Sequence, residues 1–253
     1  MRDKIGGWLA SGLLLLSAPG EAQNLVHNGS FEEAAKCPSP LFDFNNVAGW
    51  RIFQGTPDYF ATCATVRDLG VPKNFHGTRS TFFGSAYAGL FLLQVSPYDK
   101  GNAPTKSYQY SEAICTQTVR PLQQGKAYEL TFWVSLTDSS FFSTSQLYCS
   151  FSEDAPVPDK PQKGFMGRWY KFKNSDDYAC NIDFAVKGMW NQVVVRFTAP
   201  RNYRYFSIGL PRHHYSKEQY LTDLQKPRLK TPASKWRERS AYYYMDNVSL
   251  LEL

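Results

Sequence analysis

Alternation of apolar and polar residues dominates the chain after residue 80. Between Ala127 and Leu136, Tyr128, Leu130, Phe132, Val134 and Leu136 fall on one side of an extended strand. Ala127, Glu129, Thr131, Trp133 and Ser135 fall on the other. Runs of the same kind cover Ala86–Val95, Tyr108–Val119, Gln146–Ser152, Asn191–Thr198, Arg204–Leu210 and Ala241–Leu253. Turn-forming stretches such as Gln123-Gln124-Gly125-Lys126 and Ala199-Pro200-Arg201-Asn202 separate them. No long segment carries a 3.6-residue period. Short strands without intervening helices predict an all-β chain, folded as a two-sheet antiparallel β-sandwich. Residues 36–84 and 211–240 lack the alternation and read as long loops, which in compact domains carry function or mobility.

The first 22 residues have a different pattern. Arg2 and Lys4 precede an apolar run from Ile5 to Ala18, Pro19-Gly20 ends it, and Gly20-Glu21-Ala22 places small residues where a signal peptidase reads. The run is shorter than the ~20 residues that cross a bilayer. The expectation is an export signal over 1–22 and one mature domain over 23–253, secreted, periplasmic or at the cell surface.

Charge and cysteine content bear on partners and compartment. The net charge is +6, and residues 201–239 hold ten Lys and Arg against three acids, so 10 − 3 = +7 falls in that segment. Such a segment suits a solvated loop, or contact with an acidic polymer or protein partner. Export disfavours nucleic acid. Five cysteines in an exported chain suggest disulfides with one thiol left over. Cys37 and Cys63, both in loop-like sequence, are the preferred pair. Cys149 and Cys180 are the second, with two buried free thiols as the alternative, and Cys115 is the odd one.

The two ends of the mature chain carry a family resemblance. Asn24-Leu25-Val26-His27-Asn28-Gly29-Ser30-Phe31-Glu32 resembles the opening of galactose-binding-like jelly rolls, and Tyr242-Tyr243-Tyr244-Met245-Asp246-Asn247-Val248-Ser249-Leu250 resembles their last strand. Trp50, Gly55-Thr56-Pro57-Asp58-Tyr59-Phe60, Val71-Pro72-Lys73-Asn74-Phe75 and Gly84-Ser85-Ala86-Tyr87-Ala88-Gly89 are similar to a subgroup of carbohydrate-binding modules in envelope and secreted proteins of Gram-negative bacteria. The resemblance implies a jelly roll whose first and last strands lie side by side near a structural calcium. Its implied ligands here are Glu32, Asp246 and Asn28, oxygen donors that suit that ion.

It also implies a non-catalytic binding module for a glycan or envelope polysaccharide. Aromatic rings for the C–H face of a sugar, together with polar groups for its hydroxyls, are expected in two places. One is the loop cluster Trp50, Asp58, Tyr59, Asn74, Phe75 and Tyr87, held by Cys37–Cys63. The other is a sheet face carrying Trp133 and Tyr148. The alternative is a structural or adhesive envelope component working through 201–239. A hydrolase is the third reading: no Gly-x-Ser-x-Gly, His-Glu-x-x-His or phosphate loop is present, and His213-His214 has no partner motif.

Overall fold

The computed structural model describes residues 23–40, 44–95, 109–160, 167–182, 186–211 and 240–253. The export segment 1–22 and residues 212–239 of the basic segment, His213 and His214 among them, lie outside the described residues.

Two antiparallel sheets face one another. The larger has the spatial order β10 (Val157–Pro158), β11 (Arg168–Lys171), β1 (Trp50–Gly55), β7 (Ala113–Gln117), β14 (Tyr205–Gly209), β9 (Gln146–Ser152) and β12 (Asp176–Asn181). The smaller runs β13 (Asn191–Thr198), β8 (Ala127–Leu136), β15 (Ser240–Glu252), β5 (Ala86–Val95) and β2 (Asp58–Ala61), with β6 (Gln109–Tyr110) paired to β5. A separate two-stranded ribbon, β3 (Lys73–Asn74) and β4 (Gly77–Thr78), lies in the segment between β2 and β5. The chain crosses repeatedly from sheet to sheet, as in a jelly roll: β7 in the larger is followed by β8 in the smaller, β9 in the larger, β13 in the smaller, then β14 and β15.

The alternation seen in the sequence is what builds this sandwich. Tyr128, Leu130, Phe132 and Val134 of β8 point inward, where they meet Leu147, Cys149 and Phe151 of β9 and Phe206 and Ile208 of β14 in one buried core. The long stretch 36–84 is not all loop: β1 and β2 form within it, and Trp50 and Ile52 enter the core. The run Tyr108–Val119 divides into β6 in one sheet and β7 in the other. At the break, Glu112 donates its backbone N–H to Phe91 O, and its carbonyl accepts from Leu210 N.

The two ends of the mature chain meet. Leu25 N donates to Leu250 O (2.8 Å), Val248 N donates to Gly29 O (2.8 Å), and the Asn24 side chain accepts from the N–H groups of Val26 and Leu250. Cys37 and Cys63 form the expected disulfide, with Cα atoms 5.6 Å apart. Cys149 and Cys180 are unbonded buried thiols with sulfurs 3.4 Å apart. Cys115 is also a buried thiol, and burial pushes its pKa up to about 12, which leaves it protonated and unreactive at neutral pH.

Candidate functional site

The outer face of the smaller sheet carries a second apolar cluster. Phe60 of β2, Tyr87 of β5 and Tyr242 and Tyr244 of β15 point away from the main core, and Leu69, Phe75 and Val71 of the 62–84 segment pack over them. Most of the expected loop site is absorbed here. Asp58 is buried and accepts the Tyr242 hydroxyl at 2.7 Å. Asn74 donates to the Tyr87 hydroxyl and accepts from the Tyr244 hydroxyl and the His76 N–H. Phe75 is half-buried against Phe60 and His76. Trp50 and Tyr59 lie in the main core, where Trp50 Nε1 donates to Asn28 O and the Tyr59 hydroxyl to Phe31 O. Trp50, Asp58, Tyr59, Asn74 and Tyr87 thus present no ring or polar group to an external ligand. A ring with a buried hydroxyl needs a partner, and these residues supply one another's.

Trp133 does point outward from β8, but it is half-buried beneath Phe82, whose ring stacks on it at 3.9 Å and 16°. Phe82 in turn meets Trp190, and Phe83 and Met189 are more than half exposed. This aromatic ledge had no strand signal in the sequence, because Phe82 and Phe83 come from a turn.

Tyr148 lies on the other sheet, so it and Trp133 occupy opposite outer faces of the sandwich. On the outer face of the larger sheet, strand register lines up Arg51, Cys115, Ser207, Ser150 and Asp177 across five strands. The adjoining row runs Ala113, Gly209, Tyr148 and Ala179, and the row on the other side holds Gln117, Tyr205 and Ser152. The middle of this face is therefore a floor of small side chains beside two half-buried tyrosines, Tyr148 and Tyr205, and toward β1 it is covered by a third cluster in which Phe53, Ala113, Cys115 and Phe172 are buried. Gly209 is required in that floor: at φ +149° its backbone disfavours L residues, and a Cβ there would come within 2.5 Å of Ala113 Cα on the paired strand. Ser150 and Ser207 sit directly opposite one another, 2% and 0% exposed, and neither hydroxyl has a hydrogen-bond partner. What a ligand can reach on this face is Tyr148, Tyr205, Arg51 and Asp177, whereas the two serine hydroxyls are closed off from it. Sequence reasoning missed them because a serine in a strand gives no signal of its own. Only the cross-strand register sets the two together.

The acids implied as metal ligands bracket one turn. Glu32 accepts from Ser85 N, Ala86 N and, at 2.6 Å, the Ser85 hydroxyl. Asp246 accepts from Phe82 N and Phe83 N, both at 2.9 Å, and from Asn247 N. Gly84 lies between, at φ +64°, with the Glu32 carboxylate where a Cβ would be. Asp246 is fully buried, and burial, reinforced by the negative charge of Glu32, raises its pKa to about 7 despite three N–H donors. Asn28 does not share the arrangement: its amide N–H groups donate to Glu33 O and Ala48 O, and its carbonyl accepts from Glu33 N. Among the described residues, no group of three or more His, Cys, Asp and Glu side chains is placed to hold a metal.

Another acid is buried where the sheets meet. The Glu112 carboxylate accepts from the Tyr110 hydroxyl (2.6 Å), Thr56 N (3.0 Å) and Phe91 N (2.8 Å), so it ties the end of β1 to β5. Burial and then the nearby Asp58 push its pKa up to about 8.

No protein-family model and no curated protein sequence matches the chain. Its solved structural neighbours include carbohydrate-binding modules. It is similar to the CBM22-1 xylan-binding domain of a Paenibacillus barcinonensis protein (10% identity, TM-score 0.44), covering 93% of this chain and 97% of that one. It is also similar to the CBM22-1 and GH10 modules of a Clostridium thermocellum endo-1,4-β-D-xylanase complexed with xylohexaose (12% identity, TM-score 0.40). That match covers 91% of this chain but only 29% of the xylanase chain. A cyclase from Fischerella sp. is similar as well (10% identity, TM-score 0.45, 90% and 96% covered). The neighbours thus include both binding modules and enzymes, and at these identities they assign no ligand to this chain.

Proposed function

We propose that this chain is an exported, non-catalytic carbohydrate-binding module whose glycan lies across the outer face of the larger sheet. The observation that carries this reading is the pair of half-buried tyrosines, Tyr148 and Tyr205, on one outer face with the exposed Arg51 and Asp177. A sugar offers C–H surfaces that pack on tyrosine rings and hydroxyls that hydrogen-bond to charged side chains. Arg51 at one end of the central row and Asp177 at the other supply polar contacts at its margins. Glycoside hydrolysis uses two carboxyl groups flanking the scissile bond, and among the described residues this row carries one acid, Asp177. The Cys37–Cys63 disulfide supports an oxidising compartment. Binding of the purified full chain to a glycan array, with Tyr148→Ala, Tyr205→Ala and Arg51→Ala compared at the best hit, tests the reading. Retention of full affinity in all three would overturn it.

The resemblance to jelly-roll modules adds a structural calcium, which we place with Glu32 and Asp246. When bound, such an ion would supply positive charge to the buried Asp246 and the exposed Glu32. The chain's own contribution is to orient the turn 82–86 through the two carboxylates, and with it Phe82 against Trp133. Thermal unfolding with and without a calcium chelator tests the ion separately from the glycan. An unchanged midpoint would rule the calcium out.

A further inference from the structure

Three features of the described residues stand outside the proposed glycan face: the Phe82 ledge, the buried Glu112 network, and the thiol pair Cys149–Cys180. The thiol pair goes furthest. Cys149 lies on β9 and Cys180 on β12, the edge strand of the larger sheet. Register pairs Cys149 with Tyr178 and Cys180 with Leu147, so the two cysteines are diagonal neighbours on the inner face. Their side chains are 0% and 3% exposed and their sulfurs are 3.4 Å apart. A disulfide needs an S–S separation of about 2.05 Å. Diagonal neighbours across a ladder stand about 7–8 Å apart, so closing the gap takes a shift of β12 together with rotation of the two side chains. β12 is paired in its sheet on one side only.

We propose that Cys149 and Cys180 form a second, cross-strand disulfide in the mature protein, fastening the edge strand β12 to β9. The chain already holds one disulfide, Cys37–Cys63, so it is suited to oxidising conditions in which a second forms. The co-reactant is a small-molecule or protein disulfide. Its S–S bond is attacked by the Cys180 thiolate, which forms a mixed disulfide and releases one thiolate. The Cys149 thiolate then displaces the second. The protein loses two electrons and two protons, and the co-reactant leaves as two thiols.

The surroundings set when this happens. Burial, reinforced by the neighbouring Cys180, holds the Cys149 thiol well above its ordinary pKa, so attack is slow once the core is closed. The route in is the seam between the two sheet edges, where β12 and β13 flank a groove of about 510 Å³ lined in part by Tyr178, Cys180, Val193 and Val195. Oxidation therefore belongs to folding, or to moments when β12 lifts from this seam. The bond would lie directly beneath the outer face that carries Tyr148, Ser150 and Asp177, and would hold those strands in register. The disulfide stands whether or not that face binds a glycan.

The full chain is refolded in a glutathione redox buffer and then denatured, without reductant, in an alkylating reagent. The intact mass then counts the free thiols. One alkylated cysteine out of five, Cys115, is the expected result, with Cys149 and Cys180 recovered in one linked peptide after digestion. Three alkylated cysteines, with 149 and 180 among them, would overturn the proposal. Wild-type protein suffices for this measurement. As a second readout, the Cys149→Ser/Cys180→Ser protein should show the same midpoint of denaturant unfolding with and without a mild reductant that spares Cys37–Cys63, whereas the wild type should lose stability on reduction. Equal midpoints for the wild type in both conditions would also overturn the proposal.

Discussion

The two outer faces of the sandwich are built from the same kind of alternating strand and have opposite fates. On the smaller sheet, the outward positions are filled by large rings, Phe60, Tyr87, Tyr242 and Tyr244, and the 62–84 segment closes over them to make a second core. On the larger sheet, the central outward positions are the small side chains Cys115, Ser207, Ser150, Ala113 and Gly209, with Phe53 and Phe172 buried toward one end and the half-buried Tyr148 and Tyr205 beside them. A face rich in aromatics invites cover, because burying rings is worth roughly 25 cal/mol per Å². A face of small side chains needs less cover, and its half-buried tyrosines keep part of each ring at the surface. Aromatic abundance in this chain therefore marks structure first, and the binding reading moves to where the rings are few and placed at the margins.

The largest expected effects come from treating the covered face, at Phe60, and the main core, at Trp50, as structure. Phe60→Ala and Trp50→Ala should each destabilise the protein by about 3–5 kcal/mol in urea unfolding, with glycan affinity of the folded fraction unchanged. A mild stability effect with lost binding would return these residues to the ligand site and break the contrast between the faces. Tyr148→Ala should do the reverse, weakening glycan binding tenfold or more, about 1.4 kcal/mol, while the fold is retained.

The buried Glu112 gives a pH test. Its pKa is raised from 4.5 to about 8 on folding, so between those values the folded state holds a proton that the unfolded state has lost. Stability should therefore fall as pH rises from about 4.5 to about 8, and Glu112→Gln should flatten that fall. Chemical denaturation of both proteins at pH 5 and pH 8 would show it. A wild-type stability that rises over this range would contradict the assignment.

The smallest effect sharpens the other face. Ser150→Ala or Ser207→Ala removes a hydroxyl with no partner, so stability without ligand should stay within about 1 kcal/mol of wild type or rise slightly. A large loss of unliganded stability would mean that these hydroxyls serve the fold.

Strand positions were legible from residues alone wherever one face of a strand enters the core. The strands at 86–95, 127–136, 146–152 and 191–198 have the bounds that the alternation gives. β1 and β2 were not, because Trp50–Gly55 and Asp58–Ala61 are buried on nearly every position and so lack an exposed face to alternate with. The Cys37–Cys63 bridge was readable from cysteines in loop-like sequence.

The site was legible only in part. Tyr148 and Trp133 were read correctly as outward-facing, but a period of two says which residues share a face of one strand and nothing about which sheet that strand joins. Only the tertiary structure separates them. It alone also sets Phe82 over Trp133, folds the 62–84 segment onto the rings of β5 and β15, and brings Ser150 beside Ser207. The sequence by itself determined an alternating chain that must close into two sheets around one core. Cover and register come from contacts between residues far apart in the chain, and so only folding could decide which outer face became a second aromatic core and which kept rings at its surface.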